Sequence, residues 1–163
     1  MPYIIIPILM MIDLGKKNYN HDLGFNNYSP IIPIAIIFSI WINDTMAYLV
    51  GSFIGKTPFS KISPKKTWEG TAGGAILCVL LMGMIVHFIA AFYMLPLKHW
   101  LAIAAICAVF GTAGDLLESK IKRMANIKDS GSFMPGHGGF LDRFDSLLVA
   151  SPFVWLYVQL FVR

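Results

Sequence analysis

Charged side chains are scarce in this sequence. Asp, Glu, Lys and Arg make up 13% of the 163 residues, and 56% of the residues are hydrophobic. A typical soluble domain carries about 25% charged residues. The hydrophobic residues lie in long runs, a pattern that is typical of membrane-spanning helices and argues against an ordinary soluble domain.

Cysteine is also rare, and no targeting segment is recognisable. Cys78 and Cys107 both lie in apolar runs away from His, which disfavours a disulfide or a zinc site. Residues 1–12 lack the basic start and the cleavage site of a signal peptide. They are too short for a membrane span, which needs about 20 residues. We therefore expect a helix truncated at its N-terminus. No internal repeat is visible, so the chain is interpreted as a single membrane domain, 1–163.

Four longer apolar runs predict four full membrane spans, at 30–54, 70–95, 100–118 and 144–162. Each must be helical, because the bilayer core offers no other partner for backbone polar groups. The expected fold is thus an all-α, polytopic transmembrane helical bundle with four full spans and a partial helix over 1–12. The loops 56–69 and 119–143 then lie on the same side of the membrane.

The distribution of basic residues predicts the orientation of the spans. The side with the two long loops holds nine Lys and Arg residues: Lys56, Lys61, Lys65, Lys66, Lys120, Lys122, Arg123, Lys128 and Arg143. The other side holds four, which are Lys16, Lys17, Lys98 and Arg163. Because cytoplasmic loops carry the excess of Lys and Arg, both long loops are predicted to be cytoplasmic.

Five acidic residues lie within or beside the predicted spans. Asp44 falls well inside the first span, where a carboxylate costs at least about 2.5–3.5 kcal/mol on insertion scales. Asp115 and Glu118 lie near the end of the third span, and Asp142 and Asp145 open the fourth. Each of these pairs has i,i+3 spacing and shares a helix face. Any one of the five acidic residues is explained as a helix cap at the membrane interface. That explanation does not suit all of them, because the four other than Asp44 lie on the same side of the membrane as the basic loops.

Carboxylates that cluster beside Lys and Arg indicate a metal–phosphate site. Oxygen-rich sites favour Mg²⁺, which binds through one or two carboxylates and completes its shell with water and substrate phosphate. The neighbouring cations then neutralise further phosphate charge. A basic cytoplasmic loop alone is less specific, because it also serves membrane topology and attraction to anionic lipids.

The loop that precedes the fourth span has the strongest local signal. Glycines at 131, 136, 138 and 139 surround His137, and glycine lets the backbone turn tightly and bring N–H groups to phosphate oxygens. These neighbours favour a functional over a structural histidine. By contrast, Gly51–Thr57 only imitates a P-loop, since three residues rather than four separate its glycines.

Several segments together resemble phosphatidate cytidylyltransferases. The diagnostic pattern is formed by Ser119-Lys-Ile-Lys-Arg123, Lys128-Asp129 and the run Pro-Gly-His-Gly-Gly-Phe-Leu-Asp-Arg-Phe-Asp that ends at Asp145. Further similar motifs are Asn43-Asp-Thr-Met-Ala-Tyr48, Ser63-Pro-Lys-Lys-Thr-Trp-Glu-Gly70 and Gly114-Asp-Leu-Leu-Glu-Ser119. The resemblance covers nearly everything after about residue 30.

The resemblance implies that phosphatidic acid and CTP react to give CDP-diacylglycerol and pyrophosphate in phospholipid biosynthesis. It implies Mg²⁺, with a second cation also expected, and it gives the metal to Asp115 and Asp142. The expected catalytic residues are these two with His137, Lys122 and Arg123. The expected substrate-binding residues are Asp44, Ser63, Lys65, Lys66, Glu118, Ser119, Lys128, Asp129, Gly138, Gly139, Arg143 and Asp145.

The expected setting is the inner (plasma) membrane with cytoplasmic catalytic loops. The expected partners are CTP, phosphatidic acid and membrane lipids, with a homodimer among the assemblies and no nucleic acid.

Three alternatives remain open. Members of the family that this chain resembles are roughly twice as long. If the chain is not active alone, we expect it to be a fragment or a truncated, non-catalytic paralogue of the enzyme. A CDP-alcohol phosphotransferase also uses aspartates at the membrane edge, but three residues lie between the final two Asp of its motif, whereas only two lie between Asp142 and Asp145. Its upstream Asp-Gly…Ala-Arg pairing is also absent. A transporter fits intramembrane charge but does not explain the loop around His137.

Overall fold

The computed structural model describes residues 2–16, 30–60, 63, 66–89, 95–125, 127 and 141–162, with Pro2, Lys16 and residues 141–143 described by their backbone only. This part of the chain folds into five helices: α1 (Pro2–Lys16), α2 (Ile31–Ile54), α3 (Trp68–Phe88), α4 (Leu97–Met124) and α5 (Leu141–Phe161). Four of them are long and apolar enough to cross a membrane, and α1 is a shorter apolar helix. The predicted all-α fold with four full spans is confirmed.

Several helix boundaries differ from the predicted ones. Helix α4 continues to Met124 rather than ending at 118, so Ser119, Lys122 and Arg123 belong to its last turns and not to a loop. Lys and Arg are good helix formers and are favourable at a helix C-terminus, so the charges end the apolar span without ending the helix. Helix α5 likewise begins at Leu141, which places Asp142 and Arg143 in its first turn.

The other boundaries also shift. Helix α3 starts at Trp68 because Thr67 caps it, its side chain accepting a hydrogen bond from the Gly70 amide, and it ends at Phe88 rather than near 95. Helix α1 runs to Lys16 rather than to residue 12. At a rise of about 1.5 Å per residue it is about 22 Å long, which is short of the roughly 30 Å bilayer core.

The surface of the bundle is rich in large apolar side chains. Phe53, Phe88 and Met124 are 84%, 79% and 75% exposed, and many Ile and Leu side chains on α2 to α5 are exposed as well. Soluble proteins rarely expose so much contiguous apolar area, whereas a bilayer covers it. A smaller interior core is fully buried around Trp100, Ile36, Met82 and Val154.

Glycines let neighbouring helices approach closely at one end of the bundle. A Cβ atom added to Gly74 would lie 2.7 Å from the Ala47 Cα atom, and one added to Gly70 would lie 2.8 Å from the Gly51 Cα atom. Helices α2 and α3 therefore pack backbone to backbone, as small residues allow in membrane proteins. A Cβ atom on Gly114 would meet the Asp145 carbonyl oxygen at 2.7 Å, so α4 and α5 also pack tightly here.

This end contains the C-terminal parts of α2 and α4 and the N-terminal parts of α3 and α5, and we call it the polar end. Helix α1 runs alongside α5 from the polar end towards the other. Tyr3 interacts electrostatically with Glu118 and Asp145, whereas Asp13 accepts hydrogen bonds from Trp155 and Gln159 near the end of α5. The predicted loops 56–69 and 119–143 therefore connect helices at one and the same end.

Candidate functional site

The connection between α2 and α3 folds back on itself as a short hairpin. Pro58 and Thr67 form an antiparallel bridge. The Phe59 amide donates to the Lys66 carbonyl oxygen at 2.7 Å, and the Trp68 amide donates to the Thr57 carbonyl oxygen at 3.0 Å. The rings of Phe59 and Trp68 lie 4.3 Å apart between centroids. These contacts fix the backbone position of Lys66.

The Lys66 ammonium forms an ion pair with the carboxylate of Asp115 on α4. Both side chains are about one-third exposed, at 28% and 33%. Ser119, one turn further along α4, donates a weak hydrogen bond of 3.4 Å to the other oxygen of Asp115. The hairpin and α4 thus meet through a lysine and a predicted metal ligand.

A polar cavity of about 440 Å³ opens between α2, α3 and α4 at this place. Its wall includes ten polar or charged side chains: Asn43, Asp44, Tyr48, Ser52, Ser63, Lys66, Thr67, Thr71, Thr112 and Asp115. Four residues predicted to bind metal or substrate, namely Asp44, Ser63, Lys66 and Asp115, therefore share one cavity, although Asp115 follows Asp44 by 71 positions in the sequence.

Asn43 lies at the base of the polar cavity with only 2% of its surface exposed. Its Nδ2 atom donates to the Thr112 hydroxyl at 3.4 Å, and that hydroxyl donates to the Ala108 carbonyl oxygen at 2.8 Å. Because the hydroxyl hydrogen of Thr112 is used on Ala108, the amide must present nitrogen, not oxygen, to Thr112. The Asn43 side chain also hydrogen-bonds Asp44. Its Oδ1 atom is buried and has no hydrogen-bond partner within the described part of the chain.

A second cavity, of about 540 Å³, lies between α2 and α5, and we call it the apolar-walled cavity. Five of its eight lining residues are apolar, namely Ile37, Ile40, Trp41, Phe144 and Leu147, and the other three are Asp44, Asp145 and Ser146. Asp44 lies on the wall of both cavities. It also interacts electrostatically with Lys66, Asp115 and Asp145. Asp44 is far from the other four acidic residues in the predicted spans, but in the structure it belongs to the same acidic cluster.

Glu118 and Asp145 form a second, more buried part of the cluster. Glu118 is 3% and Asp145 is 8% exposed, and their carboxyl groups interact electrostatically with one another. The Ser146 amide donates to Asp145 at 2.6 Å, and Lys122 lies 3.6 Å from Glu118. Two carboxylates in contact away from water require a cation or a proton nearby. Lys122 supplies such a cation through its ion pair with Glu118. Arg123, in contrast, is exposed and lines neither cavity.

The remaining predicted site residues stay predictions. Lys65, Lys128, Asp129, His137, Gly138 and Gly139 lie outside the described residues, and so do the side chains of Asp142 and Arg143. The backbone of Asp142 and Arg143 belongs to the first turn of α5, three and two residues before Asp145.

The described donors fit a magnesium ion in part. Within the described ranges, no three His, Cys, Asp or Glu side chains are grouped closely enough to enclose a metal. Mg²⁺ does not require such a cage, because one or two carboxylates with water and substrate phosphate suffice. Asp115 and Asp44 supply carboxylate oxygens to the polar cavity, and Asn43 lies on its wall. Carboxylate oxygens are hard donors of the type Mg²⁺ prefers.

Sequence reasoning missed the hydroxyl and amide groups of the cavity wall. Asn43 and Tyr48 were included only in a motif, and Thr67, Thr71 and Thr112 were not singled out as site residues. Thr112 follows Asp44 by 68 positions and lies in an apolar run, so no local pattern marks it. Asn43 carried a usable signal, because an uncharged amide inside a membrane span needs a hydrogen-bond partner as much as a carboxylate does.

The fold and the site define a polytopic α-helical membrane protein with a cluster of carboxylates, a lysine and hydroxyl groups at one end of its bundle. A family model described as the cytidylyltransferase family matches residues 3–161. The chain belongs to the cytidylyltransferase family.

Several curated proteins of bacteria and plants are similar to this chain. A phosphatidate cytidylyltransferase of Bacillus subtilis is 44% identical over 123 residues, covering 75% of this chain and 45% of that protein. The chloroplastic phosphatidate cytidylyltransferase 4 of Arabidopsis thaliana is 41% identical, covering 71% of this chain and 29% of its own length. A phosphatidate cytidylyltransferase of Thermotoga maritima is 32% identical, covering 83% and 52%. The chain thus spans about half the length, or less, of these relatives.

Proposed function

We propose that this chain contains the cytidylyl-transfer site of a phosphatidate cytidylyltransferase, which converts phosphatidic acid and CTP into CDP-diacylglycerol and pyrophosphate. The observation that supports this most is the position of Asp44 on the wall of two different cavities. Ten of the twelve residues that line the first cavity are polar or charged, and they include Lys66, which suits the triphosphate of CTP. Five of the eight residues that line the second are Ile, Trp, Phe or Leu, which suits a lipid. The names of the relatives favour the same two substrates.

The reaction needs no covalent nucleophile from the protein. An anionic oxygen of the lipid phosphate attacks the α-phosphorus of CTP, and the bond from that phosphorus to the oxygen that bridges to the β-phosphate breaks. The electron pair leaves with pyrophosphate. Nucleotidyl transfer of this kind depends mainly on positioning and on neutralisation of charge. Lys66 and Ser63 are suitably placed on the polar cavity to bind phosphate oxygens.

The carboxylate of Asp115 has two roles in this proposal. It orients the Lys66 ammonium through their ion pair, and together with Asp142 it would hold Mg²⁺. When bound, Mg²⁺ would supply positive charge to the triphosphate and its leaving group. Asp44, held by Asn43, keeps a carboxylate at the boundary of the two cavities. His137, Lys122 and Arg123 are proposed as further catalytic residues, and Lys65 and Arg143 as further phosphate contacts.

We further propose that the polar end faces the cytoplasm and that the membrane is the inner (plasma) membrane of the cell. The support is the excess of Lys and Arg in the connections at this end. Cysteine accessibility to a membrane-impermeant thiol reagent tests the orientation. A cysteine at Lys56 is expected to react only in inverted vesicles, and one at Lys98 only in right-side-out vesicles; the reverse pattern would overturn the orientation.

The activity is tested with the purified chain in detergent micelles that contain phosphatidic acid. With CTP and Mg²⁺, we expect CDP-diacylglycerol by mass spectrometry and an equal amount of pyrophosphate. Asp13→Asn is the matched control, because it removes a hydrogen-bonded carboxylate at the other end of the bundle. If the wild-type chain gives no more product than Asp115→Asn, the chain is not active alone and the non-catalytic alternative is favoured.

A further inference from the structure

Glu69 lies at the polar end but lines neither cavity. Among the other acidic residues of α2 to α5 whose side chains are described, Asp44, Asp115 and Asp145 line a cavity, and Glu118 is buried beside Asp145. The Glu69 carboxylate accepts hydrogen bonds from the hairpin. Oε2 accepts from the amides of Lys56 and Thr57 at 3.3 and 3.2 Å, and Oε1 accepts from the Thr57 hydroxyl at 2.8 Å. These amides belong to the segment that a P-loop would use for phosphate, and here they are occupied by a side chain.

An acidic residue in the first turn of a helix is ordinarily explained by the helix dipole. Glu69 is in the first turn of α3 and benefits from that effect. The dipole does not require contacts to another segment, however. Glu69 reaches 12 and 13 residues back along the chain, to the residues that directly follow the C-cap of α2. Its carboxylate therefore joins the two ends of the hairpin.

A continuous set of contacts leads from Glu69 to Lys66. Glu69 holds Thr57, and the Thr57 carbonyl oxygen accepts from the Trp68 amide at 3.0 Å. The next bond of the hairpin joins the Phe59 amide to the Lys66 carbonyl oxygen at 2.7 Å. The Lys66 amide in turn donates to the Ser63 carbonyl oxygen at 3.1 Å. The backbone of Lys66 is thus held from both sides, and its ammonium meets Asp115.

We propose that Glu69 is a positioning residue that closes the base of the hairpin and thereby holds the Lys66 ammonium at the polar cavity. Closing a loop at its base removes conformational freedom from the residues within it. Without Glu69, the hairpin keeps its two backbone bonds but loses the contacts that fix Thr57. Lys66 then samples positions away from Asp115. The role in catalysis rests on the proposed function, whereas the role in holding Lys66 does not.

The chemical reactivity of the Lys66 amine tests the proposal without any turnover. The full chain in lipid nanodiscs is acylated with a trace of an amine-specific reagent, and the rate at Lys66 is measured by mass spectrometry relative to exposed Lys98. An ion-paired amine is less nucleophilic than a free one, so Asp115→Asn is expected to raise the rate at Lys66 by roughly two- to fivefold, in keeping with the modest strength of a partly exposed pair. Glu69→Ala is expected to produce most of that rise.

Conservative variants and a matched control sharpen this test. Glu69→Gln keeps one acceptor oxygen of the same reach, so its Lys66 rate should fall between wild type and Glu69→Ala. Thr57→Val removes the hydroxyl that donates to Glu69 and should give a similar intermediate rate, which keeps the test usable if Glu69→Ala does not fold. Asp13→Asn, at the other end of the bundle, should leave the rate unchanged. Circular dichroism checks that each variant retains its helices.

Two outcomes would overturn the proposal. In the first, Asp115→Asn raises the Lys66 rate while both Glu69 variants match wild type, which makes Glu69 an ordinary helix-end acid. In the second, neither Asp115→Asn nor Glu69→Ala changes the rate, which contradicts the ion pair itself. If the chain turns over, Glu69→Ala should raise KM for CTP more than it lowers kcat, with partial rescue by Gln. A lack of turnover in wild type would refute the proposed function alone, since the amine rates are measured without it.

Discussion

The two ends of the helical bundle differ in where their polar side chains find partners. At the end opposite the polar end, Asp13 accepts from the Trp155 indole at 2.8 Å and from Gln159 at 3.3 Å, and His99 Nδ1 lies 3.0 Å from the Tyr157 hydroxyl. At the polar end, Asp44, Asp115 and Asn43 face a cavity, and the Asn43 Oδ1 atom lacks a partner in the described chain.

At the end opposite the polar end, the polar groups bond to one another and thereby join helices. At the polar end, polar groups lie on a cavity wall, where a ligand can contact them. Buried polar groups in folded proteins are nearly always hydrogen-bonded, because an unsatisfied one costs about 1–3 kcal/mol. The contacts of Asp13 satisfy that rule within the protein and tie α1 to α5. At the polar end, Asp44 and Asp115 lie on a cavity wall and the neighbouring Asn43 Oδ1 atom has no partner among the described residues, as expected for a site that keeps polar groups for function at the expense of stability.

The largest effect is expected from Asp115→Asn. This change removes the charge that holds Lys66 and one of the two proposed metal ligands, so we expect cytidylyl transfer to fall by more than about 100-fold, the loss typical of a group that stabilises transition-state charge. Initial rates of pyrophosphate release measure it, and Mn²⁺ binding followed by electron paramagnetic resonance gives a readout without turnover. Full activity with unchanged Mn²⁺ affinity would remove Asp115 from the site.

The close packing of α2 and α3 predicts the next largest effect, on stability. A Cβ atom on Gly74 would lie 2.7 Å from the Ala47 Cα atom, a backbone atom that cannot move alone, whereas one on Gly83 would lie 3.2 Å from the flexible end of Leu101. Gly74→Ala should therefore cost about 1–3 kcal/mol, as overpacking does. Gly83→Ala is the matched control and should lie within about 0.5 kcal/mol of wild type. Equal melting temperatures for the two variants would contradict the packing.

Asn43→Leu should separate stability from activity. It removes the buried Oδ1 atom without a partner but also the contacts of Nδ2 with Thr112 and Asp44, and because these two effects offset each other, stability should stay within about 1 kcal/mol of wild type. It also removes the hydrogen bond that holds Asp44, so we expect activity to fall about tenfold, which corresponds to about 1.4 kcal/mol in the barrier. The control is Ser151→Ala, because the Ser151 Oγ atom is also buried without a partner among the described residues but lines neither cavity. A parallel loss of activity in both variants would count against a role for Asn43 at the site.

The smallest effect is expected at the opposite end. Trp155→Phe removes the shorter of the two hydrogen bonds to Asp13, so we expect about 1 kcal/mol lower stability, the usual net value of one hydrogen bond. Activity should stay within twofold of wild type, since this contact is remote from both cavities. Thermal unfolding and initial rates measure the two quantities. A large loss of activity with unchanged stability would mean that the two ends are coupled through α1.

Much of the fold was predictable from the sequence. Long apolar runs mark four spans because a helix is the regular way for a single segment to cross a bilayer with its backbone groups satisfied. The boundaries were less accurate, since hydropathy marks the end of the apolar segment and not the end of the helix. Lys122 and Arg123 illustrate this, because both continue α4 beyond its apolar part.

The site was predictable in its residue types but not in its pairings. The charges of Asp44, Lys66, Asp115 and Asp145 are conspicuous in a hydrophobic chain, so each was expected to be functional. The sequence did not indicate which of these residues contact each other. Asp115 forms an ion pair with Lys66 of the hairpin between α2 and α3, whereas Glu118, three residues later, interacts with Asp145 of α5. Neighbours on one helix face thus serve two different parts of the cluster.

The sequence by itself determined that this chain lies in a membrane, because its long apolar runs would be costly to expose to water. It also determined that the carboxylates and cations belong together, because a charge inside a membrane is costly unless it has a partner or a function. Only the tertiary structure decided that Asp44 lies between a polar and an apolar-walled cavity and that Glu69 braces the hairpin of Lys66. Those relations depend on how closely α2 approaches α3, which Gly70 and Gly74 permit, and such distances across the fold leave no periodic pattern along the chain.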